Sequence, residues 1–243
     1  MAWQVSLATV LGAPLPWVAC AVLAISVWLT YMADRLFDVA QRPSAHLLSA
    51  RHAFAKRHAH LLWRIWAGAL GLAILLALFG LSSTDLKKGL LLLALCLLYT
   101  ALNQQYSRRF FPKEAFVALI YTGGVVVFQG ATIPLGFALF FSLLCLTNCL
   151  IIGVKEKAID AKMHVHSIAP IVAEHWLGPA ALILHLLAIL TAPTGAVALS
   201  AGFLALGLLH LFRRRFEVES FRVLADMCLL LPPVVWLLSG MAP

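Results

Sequence analysis

The chain has 243 residues, 63% of them hydrophobic and 12% charged, with a mean hydropathy of +0.95. That composition excludes a soluble globular domain and predicts an all-α, polytopic membrane bundle, one domain over residues 1–243. The net charge of +8 does not point to nucleic acid, because the basic residues sit in short loops between apolar runs, where they report topology and an anionic ligand.

In chain order, Met1 to Ala13 lacks the basic start of a cleavable leader and is too short to cross a bilayer. Eight spans follow, at about 15–38, 61–81, 86–103, 114–131, 135–154, 176–192, 195–212 and 223–240. Each approaches the ~20 residues that cross ~30 Å of hydrocarbon. The runs are continuous rather than alternating, unlike an outer-membrane barrel. Pro14 and Pro16 open the first span, and turns at Pro134 and at Pro193 to Gly195 return the chain without charge. Pro232 and Pro233 predict a kink inside the last span. Cys20, Cys96, Cys145, Cys149 and Cys228 all fall in apolar runs, without metal-ligand spacing, and read as small packed residues.

Eight spans put loops 39–60, 104–113, 155–175 and 213–222 on one side. Of the 18 Lys and Arg, only Lys87 and Lys88 fall on the other. The positive-inside rule therefore makes these four loops cytoplasmic and turns both termini outward. A bacterial-type inner membrane is the expected location.

Two acidic pairs stand at the cytoplasmic ends of their spans. Asp34 and Asp38 are one helical turn apart, with Cβ atoms ~5–6 Å from each other on one face, and Thr30 extends that stripe. Glu156 and Asp160 repeat the layout, with Asn148 above them. An ionisable group in hydrocarbon costs ~2.5–3.5 kcal/mol, so such acids need partners or a task. Ordinary pairing with Arg35, Arg42 or Lys155 is one answer. The other is that four carboxylates at one mouth hold Mg²⁺, which takes one or two carboxylates plus phosphate oxygens. Arg108, Arg109, Lys113 and Lys155 lie on the same side, where cations grip phosphate or enforce topology. Tyr99, Asn103 and Tyr106, spaced four and three apart, line the pocket or anchor the interface. The segment from Arg51 to His60 reads as an amphipathic cap on the membrane surface, since its His spacing and basicity do not suit a metal. His185 and His210, inside spans, should hydrogen-bond neighbouring helices.

In these motifs the sequence resembles the UbiA superfamily of intramembrane prenyltransferases. The family's first motif, Asn-x-x-x-Asp-x-x-x-Asp, falls on Thr30, Asp34 and Asp38, with Thr in place of the leading Asn. The second, Asp-x-x-x-Asp, falls on Glu156 and Asp160. The stretch from Tyr99 to Glu114 is similar to the family's basic segment after its fourth helix. The resemblance covers Leu15 to about Asp160, and the later spans add topology only. The usual member has nine helices, and here the first would have to be Met1 to Ala13. The resemblance implies a UbiA-like bundle with cytoplasmic cap segments. It also implies that Asp34, Asp38, Glu156 and Asp160 hold Mg²⁺ around an isoprenyl diphosphate, with Arg108, Arg109, Lys113 and Lys155 assisting. Thr30, Tyr99, Asn103 and Asn148 then line the pocket, and the prenyl group passes to a lipophilic or aromatic acceptor. A protein of this fold that binds a prenyl lipid or partner without turnover, and a terpene cyclase fed by ionisation of that diphosphate, are the alternatives. A secondary transporter fits less well, since the acids stand at helix ends and no repeat is visible.

Overall fold

The computed structural model describes residues 1–41, 50–106, 112–162, 174–191 and 196–239. Within these ranges the side chains of Asp38, Asn103, Tyr106 and Asp160, with others near helix ends, lie outside the description. The regular structure described is entirely helical: α1 (Ala2–Val10), α2 (Trp17–Gln41), α3 (Ala50–Arg57), α4 (Ala59–Gly80), α5 (Ser83–Tyr106), α6 (Lys113–Val126), α7 (Leu135–Lys162), α8 (Glu174–Thr191), α9 (Ala196–Leu211), α10 (Val218–Cys228) and α11 (Leu231–Ser239), with a 3-10 turn at Arg213–Arg215. Three stretches are long and apolar enough to cross a membrane, Trp17–Phe37, Ala59–Gly80 and Leu135–Ala158. Their outward faces fit that reading: Leu75, Leu78 and Phe79 on α4 are exposed, Phe79 at 85%, where lipid rather than water is the compatible solvent.

The helices run as a meander. Leu29 accepts a hydrogen bond at its carbonyl from Trp66 Nε1 (2.9 Å), tying α2 to α4. Gly89 lies against Phe128, and Gly123 meets Leu92, so α5 and α6 are antiparallel. Thr122 and Ser142 hydroxyls pair at 2.9 Å between α6 and α7. His185 Nδ1 donates to the Ser200 carbonyl (2.9 Å) and His210 Nε2 to that of Glu174 (3.0 Å), so both intrahelical histidines bridge α8 and α9 as expected. The main core is built from α7, α9 and α10, around Phe141, Leu144, Ile151, Phe203, Leu206 and Phe221. Helix α3 packs on the end of α2, where Lys56 Nζ caps the Val39 carbonyl at 2.8 Å, the usual service of a Lys at a helix C-terminus.

Met1 to Ala13, too short to cross a bilayer as expected, forms α1, a half-length helix packed into the bundle with Trp3, Gln4, Ser6, Leu7 and Ala8 buried. It ends in a Schellman turn, where Gly12 at φ +59 lets its N–H reach Thr9 O and Ala13 N–H reach Ala8 O. Helix α6 stops at Val126 instead of running to about 131, and α1 covers its end. Gln4 Nε2 donates to Gly124 O (3.2 Å) and Gln129 Nε2 to Gln4 O (3.1 Å).

The last apolar run also breaks rather than kinks. Residue 233 would have donated to the Leu229 carbonyl in a continuous helix, but Pro233 has no N–H, and Pro232 likewise strands Cys228. The chain tightens through Leu229 N–H to Asp226 O (3.2 Å) and Leu230 N–H to Met227 O (2.9 Å), then restarts as α11 with the prolines in its first turn, where no donor is needed. The orphaned Leu229 carbonyl accepts from Trp3 Nε1 at 2.8 Å. Trp3 also packs edge-on against Phe137, Phe141 and Trp236. An interrupted helix inside an apolar bundle is stable only if its freed backbone groups find partners, and α1 supplies one.

Candidate functional site

Among the described residues, a polar seam runs along α7 against α10 and α6, with groups on α5 and α2 within electrostatic reach of it. Tyr99 of α5 lies within electrostatic reach of Asp34 (α2), Glu114 (α6) and Cys149 (α7). Cys149 in turn senses Glu114, Asp226 (α10) and Lys113, and Tyr121 senses Cys145 and Asp226. Each group is placed by a short local rule. Glu114 stands in the first turn of α6 and is 4% exposed, and the free N–H groups and dipole of a helix start favour a carboxylate there. Tyr99 is held by stacking on Phe116, with centroids 6.3 Å apart. On α7, Cys145, Cys149 and Glu156 fall on one stripe at spacings of four and seven.

The α7–α10 side of the seam is polar along two turns. Asn148 Nδ2 donates to Asp226 Oδ1 (3.2 Å), and Arg222 Nη1 lies 2.6 Å from Glu156 Oε1. Nearby, Lys155 Nζ donates to the carbonyls of Arg213 (2.8 Å) and Phe216 (2.7 Å) and stands over the Phe221 ring.

The seam therefore gathers Asp34, Tyr99, Lys113 and Asn148 from the residues singled out in the sequence, with Glu156 two turns along α7. Two others go elsewhere. Thr30 is exposed and its hydroxyl returns to the Ser26 carbonyl of its own helix (2.9 Å), because a Thr inside a helix readily bonds four residues back. Lys155 spends its N–H groups on the carbonyls of Arg213 and Phe216 in the connection between α9 and α10, so it clamps the fold rather than facing the seam. Arg108 and Arg109, and the side chains of Asp38, Asn103 and Asp160, lie outside the described residues. Glu114, Arg222 and Asp226 had not been picked out as site residues. The signal was present for the last two: Arg222 and Asp226 are a charged pair four apart on α10, the most amphipathic of the described helices.

Asp34, Glu114, Glu156 and Asp226 are hard oxygen donors, the chemistry that suits Mg²⁺ rather than a thiolate-seeking metal. Among the described residues no three His, Cys, Asp or Glu converge closely enough to hold a metal ion. A separate groove of about 630 Å³ between α1 and α2, lined by Val5, Leu15, Trp17 and neighbours, is apolar and shares no residue with the seam. Comparison with protein-family models, curated proteins and solved structures finds no match for the chain.

Proposed function

We propose that the protein is an intramembrane prenyltransferase of the UbiA kind, with α2, α4, α5, α6, α7, α8, α9 and the broken α10–α11 pair as its eight crossings. The observation that carries the reading is the run of polar contacts inside an apolar bundle, Asn148 to Asp226 and Glu156 to Arg222 between α7 and α10, with the buried Glu114 at the start of α6 and Tyr99 within electrostatic reach of Asp34 and Glu114. Polar and ionisable side chains gathered inside so apolar a bundle are costly, and a ligand or reaction is the common reason for them. Supporting it, the seam lies at the end where the positive-inside rule places the cytoplasm.

In this reading Asp34 and Asp38 on α2, with Glu156 and Asp160 on α7, would hold Mg²⁺, whose positive charge would favour departure of a diphosphate. Lys113, with Arg108 and Arg109, would grip phosphate oxygens. Tyr99, on its Phe116 platform, borders the space beside the departing group and presents an aromatic face to an allylic cation. The prenyl tail lies among apolar helices, and an acceptor reaching the seam from the bilayer captures the cation.

A second reading, prenyl-lipid binding without turnover, is favoured by one specific arrangement: Glu156 is neutralised by Arg222, and Thr30 turns away from the seam. A binding experiment tests the shared premise. The purified full chain should bind a non-hydrolysable prenyl thiodiphosphate in Mg²⁺ and lose that binding in EDTA and in Asp34→Ala. Binding that is indifferent to both would overturn the metal–diphosphate assignment.

A further inference from the structure

We propose that the turn after α9 binds a net-negative phospholipid, with its phosphate on Arg214 and Arg215 and an acyl chain in the groove that Phe212 lines. This requires only that the helices lie in a bilayer and does not depend on prenyl transfer. Helix α9 is apolar over Ala198–Leu211 and passes almost directly into three consecutive arginines, Arg213–Arg215. Arg213 is used internally: it holds Glu174 through Nε (2.8 Å) and Nη2 (2.6 Å) and donates through Nη1 to the His210 carbonyl (3.2 Å). Arg214 and Arg215 are exposed, and among the described residues no carboxylate pairs with either. Helix α8 gives the depth of this turn. Glu174 opens α8, bound by Arg213 and, at its carbonyl, by His210 Nε2 (3.0 Å). Two residues on, Trp176 is 61% exposed. An exposed Trp at the end of an apolar helix marks the headgroup level, so the two free arginines stand at the depth of lipid phosphates.

A groove localises the lipid where charge alone would not. Leu208, Leu209, Phe212, Arg215 and Phe216 line an open space of about 310 Å³. The Arg215 guanidinium lies over the Phe212 ring, 5.1 Å from its centroid, which steadies the fork and leaves its N–H edge for a phosphate. Leu204, Leu208 and Leu211 are exposed at spacings of four and three, so they form one stripe running about 10 Å along α9. An acyl chain on that stripe brings its headgroup to the arginines. The charge balance then selects the headgroup. Lys155 adds an ammonium at the turn, bonded to the Arg213 (2.8 Å) and Phe216 (2.7 Å) carbonyls. The acids that follow, Glu217 at the N-cap and Glu219 in the first turn of α10, sit where the free N–H groups of a helix start compensate negative charge. A net-negative headgroup therefore gains here, whereas a choline head brings its own cation toward the guanidinium groups.

The test uses the full chain in dodecyl maltoside, with native mass spectrometry of added dioleoyl phosphatidylglycerol or dioleoyl phosphatidylcholine. The phosphatidylglycerol should bind at least about tenfold more tightly, since each Arg at an anionic lipid weighs about fivefold. Arg215→Gln should lower that preference about fivefold, and Arg214→Gln with Arg215→Gln should remove it. Lys87→Gln with Lys88→Gln takes the same charge from two other exposed positions and should leave the preference intact. A phosphatidylglycerol with a diazirine in its acyl chain should label α9 peptides containing Leu208 or Phe212 in the unsubstituted protein, which reads the site even if the double variant does not fold. Equal binding of the two lipids, or a preference that survives the double arginine substitution, would overturn the proposal. So would an equal loss in the Lys87 and Lys88 variant, labelling that misses α9, or displacement of the lipid by soluble glycerol phosphate.

Discussion

Arg222 and Glu156 form the described ion pair that joins α10 to α7, at 2.6 Å with side chains only 19% and 16% exposed. One turn along α10 and two along α7, Asn148 and Asp226 repeat the link with a hydrogen bond. An amphipathic half-helix is thus fastened by its polar face to the helix carrying the second acidic motif. Removing Arg222 leaves a carboxylate in a nearly dry setting, so Arg222→Met should cost about 1–3 kcal/mol, below the range for a fully buried pair. Arg222→Met with Glu156→Met should recover most of it, and thermal unfolding of the three variants in detergent measures the coupling. Additive losses would mean that the pair carries no coupling.

The Trp3 indole closes the backbone gap that Pro233 opens at Leu229. Trp3→Phe keeps an aromatic ring against Phe137, Phe141 and Trp236 but leaves the carbonyl unsatisfied, at a cost of about 1–3 kcal/mol. Melting of the full chain in one detergent checks this. A Trp3→Phe variant as stable as the wild type would show that α1 does not hold the break together.

These two arrangements mark how far the sequence could be read. Continuous apolar runs made an all-helical fold with membrane-length apolar helices legible, because burial acts on whole segments. Asp34 and Tyr99 were legible for a related reason: polar groups in apolar helices are rare enough to stand out. The prolines at 232 and 233 announced a disturbance in the last run. Whether it becomes a kink or a break depends on whether another element can satisfy Leu229, and that element, α1, lies more than two hundred residues away. Asp226 has meaning only through Asn148, which nothing in its own neighbourhood reveals. Lys155 shows the reverse case: adjacent to the acidic motif in sequence, it donates to the Arg213 and Phe216 carbonyls in the connection between α9 and α10.

That assignment of Lys155 separates structure from ligand binding. Lys155→Met removes two hydrogen bonds from a charged donor and should destabilise the protein by about 1.5–3 kcal/mol, while leaving its affinity for a prenyl thiodiphosphate unchanged. Thermal unfolding and ligand titration on the same preparation check both halves. Weakened binding with unchanged stability would return Lys155 to the phosphate site.

Glu174, at the start of α8, predicts a modest acid dependence. Arg213 donates to it through Nε (2.8 Å) and approaches through Nη2 (2.6 Å), and this hydrogen bonding, opposed by slight desolvation, holds its carboxyl below the ordinary 4.5. The folded state prefers the ionised form, so the contribution is present above about pH 4.5 and is lost as pH falls through the lowered value. The carboxylate is half exposed, which keeps the effect small. Glu174→Gln should therefore melt slightly below the wild type near neutral pH and converge with it under acid. A gap that widens on acidification would contradict the assignment.

The most direct measurement is diphosphate release from labelled isoprenyl diphosphates of several chain lengths by the purified protein in Mg²⁺. The account predicts metal-dependent release that is abolished in Asp34→Ala and in Asp160→Ala, two substitutions on separate helices that share only the proposed site. No release with any chain length, or release that persists in both variants, would contradict it.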